Sequence, residues 1–259
     1  MKRLVIKIGT STLTMGTKSI SRGKIEDIAR QLVELQQQGV QVVLVSSGAV
    51  ATARQFITID GWAEEGDLPS KQALSAIGQP KLMQIFSEVF RDFGLKIAQC
   101  LLTYRDFQEG ESRTNTLNTL NELMKHGYIP IINENDTVAV EELILGDNDK
   151  LSALVATLLD TDQLLIASDI DGIYNKNPHL HADAALIESV TDLHQVASFI
   201  EERDNGLGTG GMTSKISAVR ICFSQRIPVM LVNGSRPSFI IHSLEGKIPC
   251  TRFEPVVAV

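Results

Sequence analysis

Leu4-Val5-Ile6-Lys7-Ile8-Gly9-Thr10-Ser11, close to the start of the chain, is a short β-branched run that stops in a turn of small polar residues, as a buried strand does. Downstream, Ile25, Ile28, Ala29, Leu32, Val33 and Leu35 follow helical spacing, and Gly39 stands where a C-terminal cap belongs. Val40 to Val45 is a second strand, and it runs into Ser46-Ser47-Gly48-Ala49-Val50, a small-residue turn that opens another helix.

The alternation continues. Phe56 to Pro69 has glycines and acidic residues without periodicity and reads as a surface excursion. Leu82, Phe86, Val89, Phe90 and Phe93 form an apolar stripe at helical spacing, which a buried helix face requires and a cofactor box does not explain better. A strand over Ile97 to Leu102, a helix over Arg113 to Lys125 and a strand over Tyr128 to Ile132 follow. After a polar arm with a hairpin come a helix from Leu151 to Leu159, a strand over Leu164 to Ala167, a helix near Leu193 to Ile200, and a last strand at Pro228 to Val232. Strands alternating with helices predict a largely parallel sheet covered on both faces. Small and acidic residues fall at the C-terminal ends of the strands, the rim where open α/β sheets bind ligands.

The 259 residues fit one large α/β domain or two small ones. Lys+Arg 24 against Asp+Glu 31 gives a net charge of -7 with no basic cluster, which argues against nucleic acid as a partner. Cys100, Cys222 and Cys250 are odd in number and far apart in apolar company, the pattern of reduced, buried thiols in a cytoplasmic protein. The apolar run after Met1-Lys2-Arg3 is cut by Lys7, so no signal segment is expected, and no stretch reaches the length of a membrane span.

Gly206-Leu207-Gly208-Thr209-Gly210-Gly211-Met212-Thr213-Ser214-Lys215 runs without a break into a helix-like segment. Glycine-rich backbone amides ahead of a helix N-terminus read as a phosphate cradle. A P-loop is excluded, because Lys215 follows Ser214 and precedes Ile216. Four further clusters share the rim: Lys7 with Gly9-Thr10-Ser11, Ser46-Ser47-Gly48, Asn133 to Asp136 with Gly146 to Asp149, and Ser168-Asp169. Taken singly, Lys7 could be an outward residue of an alternating strand, and Ser47 or Asp149 a helix cap. Together they supply two cations, several anion-ready turns and an acidic loop, which suits phosphoryl transfer. The histidines at 126, 179, 181, 194 and 242 all lie outside these clusters. A carboxylate acceptor needs no such base, since a reference pKa of about 4.3 leaves it ionised at neutral pH.

Lys7-Ile8-Gly9-Thr10-Ser11, Ser47-Gly48-Ala49, Asn133-Glu134-Asn135-Asp136, Gly146-Asp147-Asn148-Asp149 and Gly206 to Met212, in this order along essentially the whole chain, resemble the amino acid kinase family, and within it the members that act on glutamate. The resemblance implies a three-layer αβα sandwich over residues 1–259, its N-terminal part mainly glutamate-binding and its C-terminal part mainly ATP-binding. It implies transfer of the γ-phosphate of ATP to the side-chain carboxylate of L-glutamate, the first step of proline biosynthesis. Lys7 and Lys215 would flank the transferring phosphoryl, with Asp149 holding both lysines. Ser47, Asp136 and Asn148 match substrate positions; Asp136 suits the ammonium, and Ser47 and Asn148 can hydrogen-bond carboxylate oxygens. Ser168, Asp169, Thr209, Gly210, Gly211, Met212, Thr213, Ser214 and Lys215 match nucleotide-binding segments, and Lys7 also belongs to the ATP site. Magnesium is expected on the phosphates with few or no protein ligands. A homo-oligomer and feedback inhibition by proline are further family expectations.

Many bacterial members continue into a PUA domain, and this chain is expected to be of the short form without one. Ser168 stands where relatives often have Thr, which keeps the hydroxyl. Other acceptors, N-acetylglutamate, aspartate or carbamate, remain alternatives, although an acetylated amine could not pair with Asp136. A non-catalytic nucleotide sensor of the same fold would be expected to lack Lys7, Asp149 or Lys215. A dinucleotide-binding dehydrogenase is disfavoured, because the first turn, Gly9-Thr10-Ser11, lacks the required glycine pattern.

Overall fold

In a computed structural model, the structure describes residues 2–57, 67–139, 148–176, 178, 180–181, 183–196 and 211–255. Among these, eight strands form one sheet: β1 (Arg3–Ile8), β2 (Gln41–Ser46), β3 (Lys96–Leu102), β4 (Tyr128–Glu134), β5 (Gln163–Ser168), β6 (Ser189–Val190), β7 (Val229–Asn233) and β8 (Cys250–Phe253). Their order is β3-β4-β2-β1-β5-β7-β8-β6, and every pairing is parallel except β7 with β8. The first of these strands therefore lies inside the sheet, between β2 and β5, with Lys7 level with Val45 on one side and Ile166 on the other. From β1 the chain steps outward through β2 and later returns to β5 on its opposite side. Reversal of that kind opens a crevice at the C-terminal ends of the strands.

Period-two alternation assigns β1 to two separate cores. Leu4, Ile6 and Ile8 pack with Ile25, Ile28 and Leu32 of α2 (Arg22–Gln37) and with Leu82, Phe86 and Phe90 of α4 (Leu68–Asp92). Val5, with Val43, Ile132 and Ile166, faces Leu151, Val155 and Leu158 of α6 (Asp149–Leu158) and Ala218, Val219 and Cys222 of α7 (Met212–Ser224). On that second face Lys7 takes the place of an apolar residue. The aromatic stripe is core, Phe86 and Phe90 meeting edge to face at 5.6 Å.

The excursion expected over Phe56 to Pro69 is shorter at both ends. Phe56 closes the helix α3 (Ala49–Phe56), and Asp67 caps α4 by accepting from the Ser70 amide, with Pro69 in its first turn; residues 58–66 lie outside the described residues. Pro80 is carried inside α4. At the crossing of α3 and α4, a Cβ on Gly78 would stand 1.8 Å from the Ala49 carbonyl oxygen, so only glycine lets the helices approach this closely.

Two elements follow β7, the last strand expected from the sequence. The short helix α8 (Phe239–Leu244) docks on α2, where Gln31 Oε1 accepts the Ile240 and Ile241 amides at 2.7 and 3.2 Å. Strand β8 then adds the antiparallel partner of β7. Among the described residues the chain also forms the one-turn α1 (Thr10–Thr14), a 3-10 turn at Tyr104–Phe107 and α5 (Glu111–Lys125). Of the helix expected near Leu193 to Ile200, residues 193–196 fall among the described residues, and 194–196 are helical. Among the described residues no helix is long and apolar enough to cross a membrane. All three cysteines are free; Cys222 and Cys250 are buried as expected, whereas Cys100, on the edge strand β3, is only half-buried.

Candidate functional site

Asp149 begins α6, where the helix N-terminus favours a negative charge. Its side chain is 0% exposed, with Lys7 Nζ 2.7 Å from Oδ1 and Lys215 Nζ 3.1 Å from Oδ2. Lys7 arrives from the end of β1 and Lys215 from the first turn of α7, so one carboxylate joins three elements. Burial alone would push its proton affinity up, but the two ammonium groups outweigh burial and hold Asp149 below the usual carboxylate range. Two cations on one carboxylate give this trio of side chains a net positive charge, which attracts an anion.

Beside it lies a chain of amides. Asn148 Nδ2 donates to Asn133 Oδ1 at 2.7 Å and to Ser47 Oγ at 3.0 Å. Asn133 Nδ2 in turn donates to Gln79 Oε1 of α4 at 3.0 Å. All four side chains are buried. Ser47 is placed by its own amide, which donates to the Ile8 carbonyl at the end of β1 at 3.1 Å, and by Gly48, whose φ of 108° turns the chain into α3.

Asp136 sits just beyond the end of β4, 4% exposed. Ser75 Oγ of α4 donates to its Oδ2 at 2.5 Å and Gln72 Nε2 to its carbonyl at 3.0 Å, while Oδ1 has no hydrogen-bond partner among the described residues. Burial raises its pKa, and the Ser75 hydrogen bond offsets only part of the rise. A buried carboxylate with one oxygen unengaged can accept from a donor or pair with a cationic group.

At the end of β5, Ser168 is buried and Asp169 exposed, and the Ser168 hydroxyl donates to Asp169 Oδ1 at 3.1 Å. The Gly234 amide donates to the Ser168 carbonyl at 2.8 Å, tying the end of β7 to the same rim. Two residues on, Asp171 is gripped through both oxygens by Arg236 at 2.6 and 2.9 Å, and those bonds hold its carboxyl below the usual range. That pair fastens the two loops together.

Of the residues singled out in the sequence, Lys7, Asp149 and Lys215 thus meet directly, as do Ser47 and Asn148. Asp136 does not touch these groups and is anchored to α4 instead. Gly211 precedes α7, and Met212, Thr213 and Ser214 form its first turn with Lys215. Gly206 to Gly210, Thr209 included, and Gly146 and Asp147 lie outside the described residues. Gln72, Ser75 and Gln79 belong to none of the sequence clusters, although their i, i+3, i+7 spacing marks a polar stripe beside the apolar one. Among the described residues no three His, Cys, Asp or Glu side chains gather as a metal site.

The sequence model of the amino acid kinase family matches residues 2–233. The chain belongs to the amino acid kinase family. This amino acid kinase is 42% identical over 254 residues to a glutamate 5-kinase of Alkaliphilus metalliredigens, covering 98% of the chain and 96% of that relative. It is also 42% identical over 259 residues to a glutamate 5-kinase of Geobacter sulfurreducens, covering 98% of the chain and 68% of the relative. Among solved structures, carbamate kinase from Giardia lamblia bound to AMP-PNP superposes with a TM-score of 0.68 at 18% identity, covering 98% of this chain and 99% of the other. That likeness concerns the fold: a mainly parallel sheet between helices, as in other amino acid kinases.

Proposed function

We propose that the chain is a phosphotransferase that moves the γ-phosphoryl group of ATP to the side-chain carboxylate of L-glutamate, forming L-glutamyl 5-phosphate, a first step toward proline. The observation that carries this is Asp149, buried at a helix N-terminus and bridging two lysines on the rim of a parallel sheet. The sequence likeness to glutamate 5-kinases over 98% of the chain supports the choice of acceptor.

In this reading a carboxylate oxygen of glutamate forms the new bond to phosphorus as the bond to the bridging oxygen of ADP breaks. No proton need move, so the obstacle is repulsion between anions. Lys7 and Lys215 flank the transferring group and neutralise it, and Asp149 keeps both ammoniums at fixed positions. Asp136 takes the substrate ammonium, while the Ser47 hydroxyl holds a carboxylate oxygen and Asn148, 3.0 Å from it, completes the same substrate site by donating to Ser47. Ser168, Asp169 and Thr209 to Lys215 cradle the nucleotide, which makes one domain with a glutamate half and an ATP half. A magnesium ion carried on the phosphates fits this donor set better than one caged by protein, because Asp149 has a lysine on each oxygen and Asp169 is open to solvent. When bound, it shares the neutralisation of phosphate charge.

A cytoplasmic setting agrees with three free thiols, and a homo-oligomer with the half-exposed Leu101 and Tyr128 near the edge strand β3. Inhibition by proline belongs to the same proposal and is read by adding proline to the assay. Trapping the product with hydroxylamine tests the reaction: γ-glutamyl hydroxamate should form with ATP and glutamate, and far less product with N-acetylglutamate or aspartate. Preference for N-acetylglutamate would remove Asp136 as the ammonium receptor.

A further inference from the structure

The amides around Ser47 have a direction that one irreversible donor sets. The Glu134 backbone N–H can only donate, and it donates to Asn133 Oδ1 at 2.9 Å. Asn133 Nδ2 must then face α4, where Gln79 meets it with Oε1 at 3.0 Å. Asn148 must likewise present Nδ2 to Asn133 Oδ1, and the Ser46 carbonyl, an obligatory acceptor 3.5 Å away, agrees with that orientation. The same amide reaches Ser47 Oγ at 3.0 Å. A hydroxyl that accepts there has its single hydrogen left for another partner.

We propose that Gln79 is a positioning residue for the amino-acid substrate: through Asn133 and Asn148 it keeps Ser47 as a hydrogen-bond donor aimed at a substrate carboxylate. This rests on the substrate site described above. Without Gln79, Asn133 Nδ2 would be a buried donor with no acceptor, and the rotation that relieves it takes Oδ1 away from Asn148. Asn148 is then no longer held against Ser47, and the hydroxyl can turn either way. Gln79 is on a helix that also anchors Asp136 through Ser75 and Gln72, so α4 sets both ends of the substrate, the anionic end through the relay and the cationic end directly.

The test is a double-mutant cycle on the full chain with Gln79→Met, Asn133→Ala and the pair, run on whichever amino acid the wild type phosphorylates best. Gln79→Met keeps the shape and removes the acceptor; Gln79→Leu replaces it if thermal melting shows that the Met variant does not fold. Each single change should raise KM for the amino acid about tenfold, the upper range for one lost hydrogen bond, with kcat and KM for ATP unchanged. The pair should be no worse than Asn133→Ala alone, since Gln79 acts only through Asn133. An unchanged KM in the Gln79 variant, additive effects, or a loss shared equally by kcat and both KM values would overturn the proposal. Failure of the glutamate assignment appears separately, in the wild-type substrate panel.

Discussion

Asp149 and Asp136 are both buried carboxylates, and their surroundings drive them in opposite directions. Asp149 has its pKa depressed by Lys7 and Lys215, so its contribution to stability is complete above the unfolded value of about 3.9 and is lost only as pH falls through the lower folded value. Asp136 has its pKa raised by burial, so the folded state releases its proton later than the unfolded chain, and ionisation there detracts from stability once pH rises through that window. Asp136→Asn should therefore raise the urea midpoint at pH 7 while raising KM for glutamate; a lowered midpoint would show that the charge is compensated in the free protein. Lys215→Ala should reduce kcat by a factor on the order of 10²–10³, as loss of one transition-state donor does, with little change in KM for glutamate. A change confined to KM for ATP would make Lys215 a ground-state anchor. The charged residues were legible because Lys on a β-branched strand and Asp at a helix start are conspicuous against their neighbours. Ser75 and Gln79 were not, since Ser and Gln on a helix are ordinary surface residues until the tertiary structure buries them.

At the level of elements, α4 carries the most consequence for the site. Its close crossing with α3 depends on Gly78, and Gly78→Ala would drive a methyl into the Ala49 carbonyl and to 2.7 Å from the Ala53 nitrogen. Because both contacts are backbone, the helices must part, at a cost of about 3 kcal/mol. Urea unfolding should register that loss, and KM for glutamate should rise with it, since α3 follows Ser47 while α4 holds Asp136 and Asn133. Full stability in Gly78→Ala would mean that the crossing adjusts. Strong periodicity made β1, β2, α2 and β4 readable from sequence, whereas α8 and β8, six and four residues long, are too short to carry a period. What holds them is remote: Gln31 caps α8 from α2, and β8 pairs with β7. The start of α4 is illegible for another reason: Phe56 to Pro69 has no apolar period, and the signal at that end is Asp67 as cap with Pro69 in the first turn, where helices accept proline.

For the whole molecule, burial pushes the Cys222 thiol up to about 12, leaving roughly one thiolate in ten thousand at pH 8. Iodoacetamide should therefore modify half-buried Cys100 first, and Cys222 only at the rate of global opening, accelerated by urea in step with unfolding. Rapid labelling of Cys222 in the native protein would reveal a local route to this core. The placement of β1 also bears on how the protein is born. The ribosome delivers this strand before either of its neighbours, yet the second of them, β5, follows about 155 residues later, and Lys215 about 200 residues after Lys7. At 5–20 residues per second, that is a wait of roughly ten to forty seconds during which a nascent chain holds an apolar strand edge and one half of a lysine clamp. A chain synthesised only as far as β5 can thus neither finish its sheet nor close the lysine clamp, which waits until Lys215 has left the ribosome.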